Sequence, residues 1–298
     1  MEGNRCGIKM KKFLGRIIFI WIGAAAMFLL INVAYYKFTG GSRNVASEVY
    51  EALEIAGRNE GYTKLVLGDS VARQIFAPQY QEEDDETCYL ATNQAIMTAG
   101  NYILLERFIE NNPQLEEVYY IARPDSLMSE VNFVYTYSYF VTPLYREPLT
   151  QCLEAGTKED IDFMFGRLFA QHEFPKWLLG RYPKLLDLYQ NTCRNLVQIR
   201  KHEYKGTDMP FVYIQKMKAI CDEHHIVLHI LSSPLPNGFE YDAGQMKQRF
   251  VSCGAEKIFE EFEKSIIYVD EENFVDGIHM EDSYLDEMRI EMKTHFQE

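Results

Sequence analysis

Twenty consecutive uncharged residues, IIFIWIGAAAMFLLINVAYY from Ile17 to Tyr36, constrain this chain before anything else in it. An apolar helix of that length matches the hydrocarbon core of a bilayer. Arg5, Lys9, Lys11, Lys12 and Arg16 precede it, and that density of positive charge predicts a cytoplasmic N-terminus. Trp21, Tyr35 and Tyr36 lie toward its two ends, where interfacial aromatics are expected. A cleaved signal peptide starting near Met10 is the competing reading. Against it, the run exceeds the apolar region of such a peptide and no small-x-small cleavage pattern follows. We read residues 1–16 as a cytoplasmic basic tail and 17–36 as an uncleaved transmembrane anchor, with the body of the protein outside the cytoplasm.

The chain carries a net charge of −14. Residues 1–37 hold six Lys/Arg and one acid, so the remainder carries −19. A body this acidic lacks the basic footprint that nucleic acid requires. Five cysteines lie in the body, Cys88, Cys152, Cys193, Cys221 and Cys253, irregularly spaced and without a CxxC pair. Neither a disulfide framework nor a zinc site follows from that pattern. One bridge between unnamed partners stays open in an oxidising compartment.

Residues 37–61 read as a linker and leading helix, and 62–298 as a domain in which strands and helices alternate. TKLVLGDSVARQIF, Thr63 to Phe76, is a strand that stops at Gly68-Asp69-Ser70 and gives way to a helix. After an acidic loop, QEEDDET, come a short strand (CYLATN) and a helix near Gly100 to Asn111 whose apolar residues recur at helical spacing. EEVYYIARPDS is a third strand, HIVLHILSSP a fourth and SIIYVD a fifth, each followed by a helix. The alternation predicts an α/β domain built on a parallel sheet of about five strands. Residues 131–204 break it and read as a helical insertion, a lid or subdomain. Within it Phe133, Tyr135, Tyr137 and Tyr139 alternate. They are expected to share one face of an extended segment, covering the core or stacking on sugar rings.

In such sheets ligands gather at the C-terminal ends of the strands, which is where Ser70 falls. Its residue type permits two roles there, a helix N-cap or an exposed nucleophile. Asp276 and His279, three apart in the loop before the last helix, supply what a nucleophile needs: a histidine to take its proton and a carboxylate to orient that histidine. His224, His225 and His229 are close in sequence but straddle a helix end and a strand without a carboxylate cluster, so no metal site is assigned.

A GDS motif after the first strand with a DxxH motif before the terminal helix resembles the SGNH (GDSL-type) hydrolase superfamily. Gly68-Asp69-Ser70 match its first block and Asp276-Gly277-Ile278-His279 its last. The anchor and the insertion are similar to the extracytoplasmic branches that act in cell-envelope glycan acylation, namely alginate O-acetylation proteins and the teichoic-acid D-alanylation protein. The resemblance implies a three-layer α/β sandwich around a parallel sheet, SGNH- or flavodoxin-like. It implies catalysis by Ser70, His279 and Asp276 without metal or organic cofactor, and a polysaccharide or acylated glycan substrate. For a transferase it also implies a membrane-bound acyltransferase partner.

The family's two middle blocks, which hold its oxyanion donors, are altered. Thr98 or Gly100 stands where a glycine is expected, and Ala122-Arg123-Pro124-Asp125 replaces GxND, with proline in the asparagine's place. Losing one oxyanion donor typically costs about 10²–10³ in rate. Backbone amides near Ser70 and Gly100 are the expected substitutes, with Asn93 or Asn101 for the missing side chain. Arg123 is expected either to hold an anionic or hydroxylated substrate or to form a structural ion pair. The departures leave a second reading open, a non-catalytic accessory protein that binds glycan or a membrane partner.

Overall fold

Leu65, Val66 and Leu67 are fully buried, as a strand covered on both faces requires. The computed structural model describes residues 3–39, 46–76, 86–128, 133–182, 184–189, 191–192 and 208–296. The apolar N-terminal run lies within a helix, α1 (Gly3–Thr39), whose stretch from Phe13 to Thr39 is long and apolar enough to cross a membrane. The body opens with α2 (Ser47–Ala56), β1 (Lys64–Gly68) and α3 (Ser70–Ile75). Then come β2 (Thr87–Tyr89), α4 (Met97–Asn111), β3 (Glu117–Ile121), α5 (Pro124–Met128) and α6 (Phe133–Thr136). Helices α7 (Ala155–Phe165), α8 (Arg167–Gln171) and α9 (Glu173–Arg181) follow. The chain closes with α10 (Met209–His224), β4 (Val227–Leu231), β5 (Leu235–Pro236), α11 (Ala243–Ser252), α12 (Glu256–Lys264), β6 (Tyr268–Val269) and α13 (Leu285–Thr294). Residues 81–85 of the acidic loop, 40–45 of the linker and the end of the insertion lie outside the described residues.

The sheet is parallel, with strand order β2-β1-β3-β4. Alternate residues feed two apolar clusters: Leu65, Leu67, Val118 and Tyr120 on one face, Val66, Tyr119 and Ile121 on the other. The first cluster includes side chains of α2, α4 and α10; the second includes side chains of α3 and α13. The chain leaves β1 toward β2 and crosses back to β3, so β1 and β3 flank the switch point where parallel sheets open a crevice.

Two expectations are corrected. The expected fifth strand does not join the sheet. After β4 the main chain turns at Ser232, whose amide donates to the Ser265 hydroxyl instead of to a strand carbonyl. Pairing resumes only beyond that break, as a separate two-stranded sheet of β5 and β6. The sheet therefore has four strands. The aromatic stretch is not extended either. Phe133–Thr136 is α-helical and Tyr137–Val141 forms a π-helical turn. Helical spacing destroys the shared face: Tyr135 is exposed while Tyr137 is fully buried, donating to the Phe169 carbonyl. Among the described residues Cys88, Cys152, Cys221 and Cys253 are free thiols. Burial pushes Cys88 and Cys221 up to about 12, which makes them unreactive.

Candidate functional site

The turn from β1 to α3 is forced tight. A Cβ on Gly68 would lie 2.5 Å from the Ile121 carbonyl oxygen and 2.7 Å from the Ala72 Cβ, so only glycine lets β1 approach β3 there. The next residue, not Ser70, caps the helix. Asp69 Oδ1 accepts from the amides of Val71 and Ala72 at 3.0 and 3.1 Å, and Oδ2 accepts from the Arg123 amide at 3.2 Å. Burial raises the Asp69 pKa, opposed by these amide bonds and by the Arg123 charge. With the cap supplied next door, the Ser70 hydroxyl is free for another partner. Asp69 N–H donates to Ile121 and Arg73 N–H to Asp69, which leaves the Ser70 amide as the open donor of the first turn among the described residues.

The histidine arrives from the other end of the chain on a self-closed loop. Phe274 and Met280 form an antiparallel bridge, the Val275 amide donates to the His279 carbonyl at 2.8 Å, and Gly277 takes the left-handed φ of +76° that the turn needs. Asp276 Oδ1 accepts from the amides of Ile278 and His279 at 3.0 and 2.7 Å. Its Oδ2 lies 2.9 Å from His279 Nδ1, and His279 Nε2 lies 2.9 Å from Ser70 Oγ. The carboxylate fixes the proton on Nδ1 and leaves Nε2 as acceptor for the serine. The His279 amide and imidazole together hold the Asp276 carboxyl down to about 2. Ser70 and His279 are half-buried and Asp276 is exposed.

Gln74 was not foreseen. One turn beyond Ser70 on the same helical face, its Nε2 donates to the Met280 carbonyl at 2.7 Å and its Oε1 accepts from the Met280 amide at 2.9 Å. This pair ties α3 to the residue after His279. Arg289 of α13 adds a bond to the Ile75 carbonyl at 2.9 Å. The only signal in the sequence is the i, i+4 spacing of Gln74 from the serine.

The other expected residues divide. Asn93 stands at the serine's edge, one residue past Thr92, whose amide bonds the Gly68 carbonyl at 3.2 Å. Its Oδ1 accepts from Ala95 N–H, and its amide nitrogen has no partner among the described residues. Arg123 follows β3 across the switch point. Its Nε donates to Asp125 at 3.0 Å, its Cζ lies 4.9 Å from the Phe239 ring centre, and its buried Nη1 has no partner among the described residues. Thr98, Gly100 and Asn101 are committed elsewhere. The Thr98 hydroxyl lies 3.3 Å from the Tyr120 hydroxyl, and Asn101 Nδ2 donates to the Met97 carbonyl. Gly100 sits in the second turn of α4, where amides are consumed by the helix, and its missing Cβ makes room for Ile96 and Leu144. Among the described residues the donors left open at this edge are therefore the Ser70 amide, the Asn93 side chain and Arg123 Nη1. His229 pairs with Glu261 and stacks on Tyr119 with ring centres 4.7 Å apart.

Comparison of the chain with protein-family models, with curated proteins and with solved structures finds no match in any of the three.

Proposed function

We propose that this chain is a membrane-anchored serine esterase or O-acyltransferase of the SGNH (GDSL-type) kind, acting on an extracytoplasmic polysaccharide. The observation that carries the proposal is the hydrogen-bonded relay Asp276–His279–Ser70, with 2.9 Å at both links. In the proposed reaction Ser70 Oγ attacks the acyl carbonyl while His279 Nε2 takes the hydroxyl proton. The imidazolium then returns that proton to the departing alkoxide, leaving an acyl-serine. Water resolves the intermediate in hydrolysis, and a sugar hydroxyl resolves it in transfer. The Ser70 amide and Asn93 Nδ2 are the donors assigned to the oxyanion. The parallel order β2-β1-β3-β4, buried on both faces, supports a three-layer SGNH-like sandwich. The basic residues in the first part of α1, ahead of its apolar run, support a cytoplasmic N-terminus and an external body. A membrane acyltransferase as acyl donor rests on the family resemblance alone.

Pro124 in the place of the family's oxyanion asparagine favours a second reading, an accessory protein that retains the fold and binds glycan or a membrane partner. A fluorophosphonate probe on the full chain in detergent separates the two. Labelling lost in both Ser70→Ala and His279→Ala is expected of the enzyme. A folded parent chain that takes up no label sinks the catalytic reading.

A further inference from the structure

The one side-chain amide in the outer half of the anchor is Asn32, and a bare amide in hydrocarbon is costly. Here it is buried and satisfied from both sides. Its Nδ2 donates to the Phe28 carbonyl at 2.9 Å, and its Oδ1 accepts from the Tyr182 hydroxyl at 2.8 Å. Tyr182 comes from the insertion, just past α9, and more of that helix follows it onto α1. Ring centres lie 5.6 Å apart for Tyr36 and Phe174, 6.0 Å for Tyr35 and Trp177, and 5.5 Å for Phe28 and Tyr182. The pairing runs antiparallel, so later residues of α9 meet earlier residues of α1. From Tyr36 back to Phe28 is eight residues, about 12 Å of helix at ~1.5 Å per residue. Half the hydrocarbon thickness is ~15 Å.

From this geometry, and resting on the reading of α1 as a membrane span with an external body, we propose that Glu173–Tyr182 is itself embedded in the outer leaflet. The occupant of its outward face is lipid. The chemistry of the segment fits that depth. Phe174, Trp177 and Tyr182 are the residues of an interfacial belt, and Arg181 lies over the Tyr35 ring at 4.1 Å, placed to reach headgroups. The cation in the middle of α9, Lys176, is turned inward, donating to the Tyr145 carbonyl at 2.8 Å and pairing with Glu173 at 2.7 Å. Residues 166–190 hold four basic and two acidic side chains, against the acidic balance of the body as a whole. The body is then fixed to the bilayer at two places, and the proposed enzyme meets its substrate at the membrane surface.

The chain has two tryptophans, Trp21 and Trp177, which makes the test direct. Trp21→Phe leaves Trp177 as the sole indole, and Trp21 lies on an exposed face of α1 where phenylalanine is accommodated. The full chain is reconstituted in nanodiscs whose phosphatidylcholine carries bromine near the headgroup end or near the methyl end of its acyl chains. Trp177 emission is expected to fall, more with the shallow bromines than with the deep ones. The difference between parent and Trp21→Phe reports Trp21. Quenching of Trp21 with Trp177 untouched overturns the proposal and leaves the anchor standing. Quenching of neither removes the anchor and the proposal with it.

Discussion

Replacing Gln74 with leucine asks whether the relay is held by what lies behind it. Gln74 grips both main-chain polar groups of Met280, which is fully buried and directly follows His279. Leucine approximates the volume and offers neither bond. Two hydrogen bonds with a net worth of about 0.5–1.5 kcal/mol each put the loss at about 1–3 kcal/mol. If that loss falls on the placement of His279 against Ser70, it converts at about 1.4 kcal/mol per decade into labelling slower by about 5- to 150-fold. The assay is the rate of fluorophosphonate labelling of the full chain, with thermal unfolding followed on the same preparation. Labelling is expected to slow while the melting temperature drops by no more than roughly ten degrees. All three side chains of the relay remain in this variant. A labelling rate equal to the parent's would refute the reasoning, and so would a loss matched by an equal unfolded fraction.

Two further outcomes test the roles given to neighbouring residues. A Cβ at Gly100 would lie 2.8 Å from the Ile96 Cβ and 2.9 Å from Leu144 Cδ1, so Gly100→Ala should cost about 1–3 kcal/mol by overpacking yet leave labelling per folded molecule unchanged. Labelling that vanishes in the folded variant would return Gly100 to the oxyanion site. For Asp276, a carboxyl held down to about 2 in the folded chain contributes stability that is fully present above its ordinary value and is lost as pH falls toward 2. Amide exchange at Ile278 and His279 should therefore stay protected at mildly acidic pH and rise only on approach to that value. A carboxylate shift titrating near the ordinary ~3.9 would contradict the pairing.

The relay was legible because its parts obey local rules. An apolar run ending at Gly68-Asp69-Ser70 reads as a strand turning into a helix, and Asp276-x-x-His279 spaces a carboxylate and an imidazole for one tight loop. Alternation placed both at the same sheet edge. What was not legible depends on partners distant in sequence. Nothing local says that Asp69 rather than Ser70 takes the cap, because the choice depends also on the Arg123 amide across the switch point. Thr98 and Gly100 were read by their position after a strand, whereas their fate is decided by Tyr120 and Leu144. The period-2 aromatics from Phe133 to Tyr139 matched a strand template but had no neighbouring strand to pair with, and they wound into helix. The fifth strand failed for a similar reason, when Ser232 and Ser265 interrupted its ladder.

Ser70 and His279 stand 209 positions apart in the chain, and that separation fixes the order in which the relay can be assembled. All four strands of the sheet are complete at Leu231, whereas the loop bearing His279 and the helix that bonds behind α3 follow that sheet in the chain. A growing chain can therefore hold a finished sheet with Ser70 already on its turn while its hydroxyl still lacks the imidazole it bonds in the folded protein. The relay closes only when the loop bearing His279 has folded back onto α3.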